Sequence, residues 1–140
     1  MTIKTVLGFD FGMKRIGTAV GQVITCNASP LALLNAKDGV PDWQQLKKLI
    51  NEWQPQALIV GIPTNINDEQ QLITFAARKF AKKLQRNYDL PVFEVDERLT
   101  TVEARAQVFE QGGYRKLQKT QMDNRAAALI VTQWLQDNAR

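Results

Sequence analysis

Four acidic residues stand where an acid needs a reason. Asp10 lies near the far end of an apolar, β-rich run, Thr5 to Phe11 (TVLGFDF). A charge there is costly unless it is paired, hydrogen-bonded or bound to a metal. Asp96 and Glu97 are adjacent acids closing a second run that begins at Pro91 (PVFEVDE). Strand side chains alternate between faces, so only one of the two can share a site with Asp10. Asp123 heads a helical stripe that continues through Ala126, Ala127, Ile130 and Trp134, spaced by about 100° per residue. Each acid also has an ordinary reading: Asp10 paired to Lys14 or Arg15 or bonded into the turn at Gly12, Asp96 and Glu97 solvated beside Arg98, and Asp123 as a helix N-cap.

Together they make an all-oxygen set drawn from two strand ends and one helix start. Such a set suits Mg2+ or Mn2+, and a divalent cation relieves the repulsion among three carboxylates. The rest of the composition leaves few other chemistries. The chain has no His and a single Cys, Cys26, so it has no Ser-His-Asp or Cys-His relay, no His-ligated zinc, no internal disulfide and no CxxC pair. This usage fits a reducing cytoplasm. Neither a signal peptide nor an apolar run long enough for a membrane span is expected, and the protein is read as cytoplasmic.

The elements that must position these acids follow from the apolar patterning. The 140 residues, 44% of them hydrophobic, suit one domain, 1–140. Strands are expected at Thr5 to Phe11, Arg15 to Val20 and Ser29 to Leu34, making an antiparallel meander. A helix capped by Asp42 carries Trp43, Leu46, Ile50 and Trp53 on one side and stops before Pro55. Ala57 to Ile62 (ALIVGI) reads as a buried parallel strand. A helix from about Asp68 to Arg86, a strand at Pro91 to Glu97, a helix capped by Thr100 and fading at Gly112, and a last helix opened by Asp123 complete the order. The expected fold is α/β, a mixed five-stranded sheet covered by helices on both faces. The three Trp residues fall on apolar helical faces and are assigned to the core.

Lys and Arg exceed Asp and Glu by 18 to 14, a net charge of +4. Arg78, Lys79, Lys82, Lys83 and Arg86 share one helical face, read as a solvated surface. Arg115, Lys116, Lys119 and Arg125 surround Tyr114 and a Gly-Gly loop close to Asp123. A basic loop with an aromatic beside an acidic cluster suits a nucleic-acid strand. Gly12 to Gly17 (GMKRIG) has the spacing that opens a P-loop, but Thr18 stands where the Lys is required and a strand is expected to follow, so that reading fails.

The blocks Gly8-Phe-Asp10-Phe-Gly12 with Arg15-Ile-Gly17-Thr-Ala19, Val60-Gly61-Ile62-Pro63, Asp96-Glu97-Arg98-Leu99-Thr100-Thr101, and Asp123-Asn-Arg-Ala126-Ala127 occur in this order along the whole chain. In them the sequence resembles the YqgF family of pre-16S rRNA nucleases, also described as Holliday-junction resolvase-like proteins of the RNase H-like superfamily. The resemblance implies an RNase H-like fold and a Mg2+- or Mn2+-dependent nuclease that matures the 5′ end of pre-16S rRNA. It implies Asp10, Glu97 and Asp123 as the catalytic and metal-binding acids. Val60 to Thr64 carries no acid where related resolvases have one.

The expected mechanism is phosphodiester hydrolysis with Asp10 bridging two divalent ions, one activating water and the other stabilising the departing 3′ oxygen. Lys14, Arg15, Arg98, Arg115, Lys116, Lys119 and Arg125 would hold the nucleic-acid backbone. The expected partners are pre-rRNA or branched DNA, with a ribosomal precursor particle as a further candidate, no membrane, and a monomer or weak homodimer. Two alternatives stay open at this point: a Holliday-junction endonuclease, which needs a two-fold dimer, and a non-catalytic RNA-binding module of ribosome assembly. An actin-like or sugar-kinase ATPase is set aside because those folds pair two lobes.

Overall fold

The computed structural model describes residues 2–63, 68–96 and 119–138. Its strands are β1 (Thr5–Asp10), β2 (Arg15–Gln22), β3 (Asn27–Pro30), β4 (Leu34–Lys37), β5 (Val40–Pro41), β6 (Ala57–Ile62) and β7 (Val92–Asp96). Its helices are α1 (Trp43–Trp53), α2 (Asp68–Tyr88) and α3 (Lys119–Asn138). The strands form one mixed sheet in the order β5-β4-β2-β1-β6-β7, with β3 also paired to β2. β1 is antiparallel to β2 and parallel to β6, which is parallel to β7.

Strand alternation sorts the side chains into two cores. Leu7, Phe9, Ile16, Val20, Leu58, Val60 and Ile62 pack with Leu46 of α1 and with Ala77, Phe80 and Leu84 of α2. Val6, Ala19, Ala57 and Ile59 pack on the opposite face with Ala127, Ile130, Val131, Trp134 and Leu135 of α3. Helices therefore cover both faces, as expected. Trp43 stacks at 6.4 Å from Phe80 and Trp134 at 5.2 Å from Phe93, so these two rings serve packing, and Trp53 packs half-buried against the first core. Asp42 caps α1, its carboxylate accepting from the Gln44 and Gln45 amides. Gln54 closes that helix in the left-handed region at φ 46°.

The sheet differs from the five-stranded expectation: seven strands occur among the described residues. The strand expected at Ser29 to Leu34 is two strands, β3 and β4, each paired to β2. Ala19 faces Pro30 while Ile16 faces Leu34. Four steps on the outer chain thus match three on β2, a one-residue slip of the kind a bulge produces. Pro30 has no amide hydrogen to continue the ladder. The break is closed by the Leu31 amide donating to Thr18 O at 2.8 Å and by the buried Thr18 hydroxyl donating to Ala32 O. β5 then pairs with β4 through a turn at Gly39, whose φ of 81° suits glycine.

The last helix also differs. It begins at Lys119, one turn before Asp123, so Asp123 is not its N-cap. The apolar stripe that suggested a start there runs from Ala126, and the turn before Asp123, KTQM, adds to its apolar periodicity only Met122 although it is built of residues a helix tolerates. The helix expected from Thr100 to Gly112 and the basic loop at 111–116 lie outside the described residues.

Candidate nuclease site

Asp10 is the last residue of β1, between Gly17 of β2 and Gly61 of β6 in register. Its parity in the strand is that of Val6 and Gly8, so its side chain belongs to the α3 face. Neither flanking position on that face carries a side chain beyond the backbone, which leaves the half-buried carboxylate without bulky neighbours in the sheet. β1, β6 and β7 run parallel and end together, and in such sheets ligands gather beyond the carboxyl ends of the strands.

Glycine also sets the approach of α3. A Cβ on Gly8 would stand 2.1 Å from Val131 Cγ2 and 3.6 Å from the Ala127 carbonyl, and one on Gly21 would stand 2.4 Å from Val131 Cγ1 and 3.3 Å from Leu135 Cδ1. Gly21 pairs with Val6, two residues before Gly8. Moving up β1 from Val6 to Gly8 therefore moves down α3 from Leu135 towards Ala127, and helix and strand are antiparallel. Two more strand residues, about 7 Å, reach Asp10. Four fewer helix residues, about 6 Å, reach the backbone of residue 123.

The turn after β1 is equally constrained. A Cβ on Gly12 would meet the Arg15 carbonyl at 2.4 Å, so only glycine lets the chain reverse there. The Met13 and Lys14 carbonyls accept from the Gly39 and Ala36 amides, both at 2.9 Å, tying this turn to β4 and β5. Lys14 and Arg15 are exposed at the rim, and Arg125 is half-buried on α3. β2 follows Gly12 to Gly17 as a strand, in keeping with the failed P-loop reading.

Of the two adjacent acids, Asp96 belongs to the other face. Val92 packs in the α2 core and Glu94 pairs with Arg78 of α2 at 3.9 Å, whereas Phe93 and Val95 pack towards α3. Asp96 shares the parity of Val92 and Glu94 and so does not join Asp10. Glu97, Arg98, Arg115 and Lys116 lie outside the described residues, as do the side chains of Lys119 and Asp123. Among the described residues no group of three or more His, Cys, Asp or Glu could hold a metal ion. Gly61, the parallel partner of Asp10, stood in the block Val60-Gly61-Ile62-Pro63 without a role at the site assigned to it. Its signal was a glycine inside the otherwise bulky apolar run ALIVGI, which marks a close approach or a site.

The order of strands and the helices on both faces define an RNase H-like α/β fold. Two solved structures share this fold: "T. thermophilus RuvC in complex with Holliday junction substrate", with TM-score 0.61, 15% identity and 98% of each chain covered, and the yeast mitochondrial Holliday junction resolvase Ydc2, with TM-score 0.55, 12% identity, 93% of this chain and 77% of that one. Residues 4–137 match the family model described as "RuvX: Holliday junction resolvase", and the chain belongs to that family. It is 58% identical over 132 residues to a Legionella pneumophila (strain Lens) protein named "Putative pre-16S rRNA nuclease", covering 94% of this chain and 95% of the relative. Relatives of the same name from Coxiella burnetii (strain Dugway 5J108-111) and Proteus mirabilis (strain HI4320) are 57% identical over 131 residues and 50% identical over 136, covering 94% and 97% of this chain and 92% and 98% of the relatives.

Proposed function

We propose that residues 1–140 form one nuclease domain that hydrolyses phosphodiester bonds near the 5′ end of pre-16S rRNA, in the cytoplasm, with Asp10, Glu97 and Asp123 as its acids. The observation that carries this reading is the antiparallel seating of α3 on β1, which sets the backbone of residue 123 beside the strand end that bears Asp10. The choice of Glu97 over Asp96 is supported by the parity of β7, since Asp96 belongs to the α2 face. The names of the relatives support the substrate.

The donor chemistry fits a hard divalent cation. Asp10 offers carboxylate oxygens at a strand end flanked by two glycines, the candidate partners are carboxylates, and the chain contains no imidazole. Asp10, Glu97 and Asp123 would hold Mg2+ or Mn2+, which when bound supplies an activated water and charge stabilisation at the departing 3′ oxygen. The remaining work falls to the chain itself. Gly17 and Gly61 leave room for a sugar-phosphate backbone against the sheet. Arg125 on α3, Lys14 and Arg15 at the β1–β2 turn, and Arg98, Arg115, Lys116 and Lys119 supply cations to orient the phosphates, which makes affinity steeply salt-dependent. The ordinary role of Asp10, as a charge satisfied within its own turn, gives no account of two side-chain-free neighbours on its face.

Asp10→Asn should abolish Mn2+-dependent cleavage of a pre-16S rRNA fragment while leaving RNA affinity and the unfolding midpoint near wild type. Full cleavage by that variant would refute the site. A second reading, a junction-resolving DNA endonuclease on the same residues, is favoured by the family description and by the resolvase fold. Cleavage of four-way DNA junctions in preference to single-stranded RNA, by a two-fold dimer, would decide for it. Absence of divalent binding at millimolar concentration with RNA affinity intact would instead decide for a non-catalytic RNA-binding module.

A further inference from the structure

The outer face of α2 combines features that a merely solvated surface does not need. Ala77, Phe80, Ala81 and Leu84 point into the core. On the opposite side, within a stripe about 140° wide, stand Leu72, Phe75, Arg78, Lys79, Lys82, Lys83 and Arg86. Phe75 is 79% exposed and Leu72 74%, the two most exposed large apolar side chains of the helices among the described residues. Phe75, Arg78, Lys79 and Lys82 line a surface cavity of about 350 Å³. The acid that meets this face is Glu94, 3.9 Å from Arg78, and Lys79 and Lys82 have no acidic partner among the described residues.

We infer that this face is a second nucleic-acid contact, binding a single-stranded segment that flanks the cleaved phosphate: one base stacks on the Phe75 ring and the adjoining phosphates lie on Lys79 and Lys82. An aromatic face framed by cations is the pattern by which unpaired strands are held without sequence preference. The position suits a strand leaving the site. α2 follows β6, whose end is level with Asp10, and Phe75 lies about 10 Å along the helix from its start. The Arg78–Glu94 pair ties one border of the basic face to β7, the edge strand on that side of the sheet among the described residues, so a strand leaving the site would reach this face by passing round that edge. A second copy of the chain fits this face poorly, because a two-fold contact would oppose one set of five cations to another.

The inference rests on nucleic acid being the substrate class, and binding measurements separate the two claims. In the Asp10→Asn background, so that nothing is cleaved, affinity is measured for a labelled single-stranded RNA spanning the cleavage site and extended on either side. Phe75→Ala should weaken binding about tenfold, and Phe75→Trp should restore it. Lys79→Ala with Lys82→Ala should lower the slope of log K against log salt by about 1.4. Both losses should vanish with RNA trimmed to the cleaved segment. With Asp10 restored, the same variants should raise KM and leave kcat unchanged. All three residues are exposed, so the substitutions leave the core intact. Unchanged affinity and slope would overturn the inference while leaving the nuclease reading standing, whereas no RNA binding by the parent protein would remove both. Dissociation of a dimer by Phe75→Ala, or loss of binding to anionic vesicles, with RNA affinity unchanged in either case, would also overturn it.

Discussion

Gly8→Ala should act on the site through packing, and its size follows from the contact it disturbs. The added methyl would lie 2.1 Å from Val131 Cγ2, where carbon atoms settle at about 3.5 to 4.0 Å. Val131 is fully buried and cannot turn away: its other methyl fills the matching notch at Gly21, and a β-branched side chain in a helix has one favoured rotamer. Relief must come from α3 rising by about 1.5 Å, close to where it passes Asp10. Overpacking of this kind costs about 1 to 3 kcal/mol. A displacement of about 1 Å in a reacting geometry can cost about a hundredfold in rate. Urea denaturation should therefore show a lower midpoint with unchanged slope, and cleavage of the precursor RNA should fall about a hundredfold in kcat with KM little altered. Val131→Ala alone removes two buried methyl groups, at about 2 kcal/mol. Combined with Gly8→Ala it should recover stability relative to the sum of the single variants by at least about 1 kcal/mol, because the new methyl enters the space vacated. Additive effects, or a Gly8→Ala protein as stable and active as the parent, would refute the account of how α3 is seated.

Three further outcomes test the framework. Thr18→Val keeps the shape of a fully buried side chain but removes the donor to the Ala32 carbonyl, so unfolding free energy should drop by about 1 to 2 kcal/mol by chemical denaturation. Asp42→Ala removes the acceptor of the Gln44 and Gln45 amides and should cost about 1 kcal/mol, with Asp42→Asn costing much less in the same titration. Burial raises the Tyr88 hydroxyl above its usual value of 10.0. The folded state thus keeps the proton longer than the unfolded chain, and this contribution to stability is whole below the unfolded value and lost as pH rises through the folded one. Tyr88→Phe should flatten the fall of the denaturation midpoint above about pH 10.

Much of the architecture was legible because burial imposes simple periods. β1 and β6 announced themselves as apolar runs, β7 as a short β-rich run after Pro91, and α1 by its Asp42 cap and its spacing of Trp43, Leu46, Ile50 and Trp53. The split between β3 and β4 was not legible: it depends on a one-residue slip against β2, a property of two chains in register rather than of either alone. The start of α3 was misplaced for a related reason. Asp is as good a cap as it is a ligand, and no apolar stripe preceded it. The same ambiguity hid Phe75, an aromatic on a helical face whose cations alone read as solvent contact.

The acids were legible singly, while the seating that the proposed site requires was not, because it depends on how closely α3 lies on β1. That closeness is set by residues with no chemistry of their own. Gly8 and Gly21 admit the two methyls of Val131, and the helix descends far enough for its first turns to run beside the end of β1. Gly17 and Gly61 clear the two strand positions next to Asp10, and Gly12 turns the chain against the Arg15 carbonyl. In the proposed site, five glycines around a single strand would open the Asp10 carboxylate to a cation and a phosphate while closing the core two residues below it.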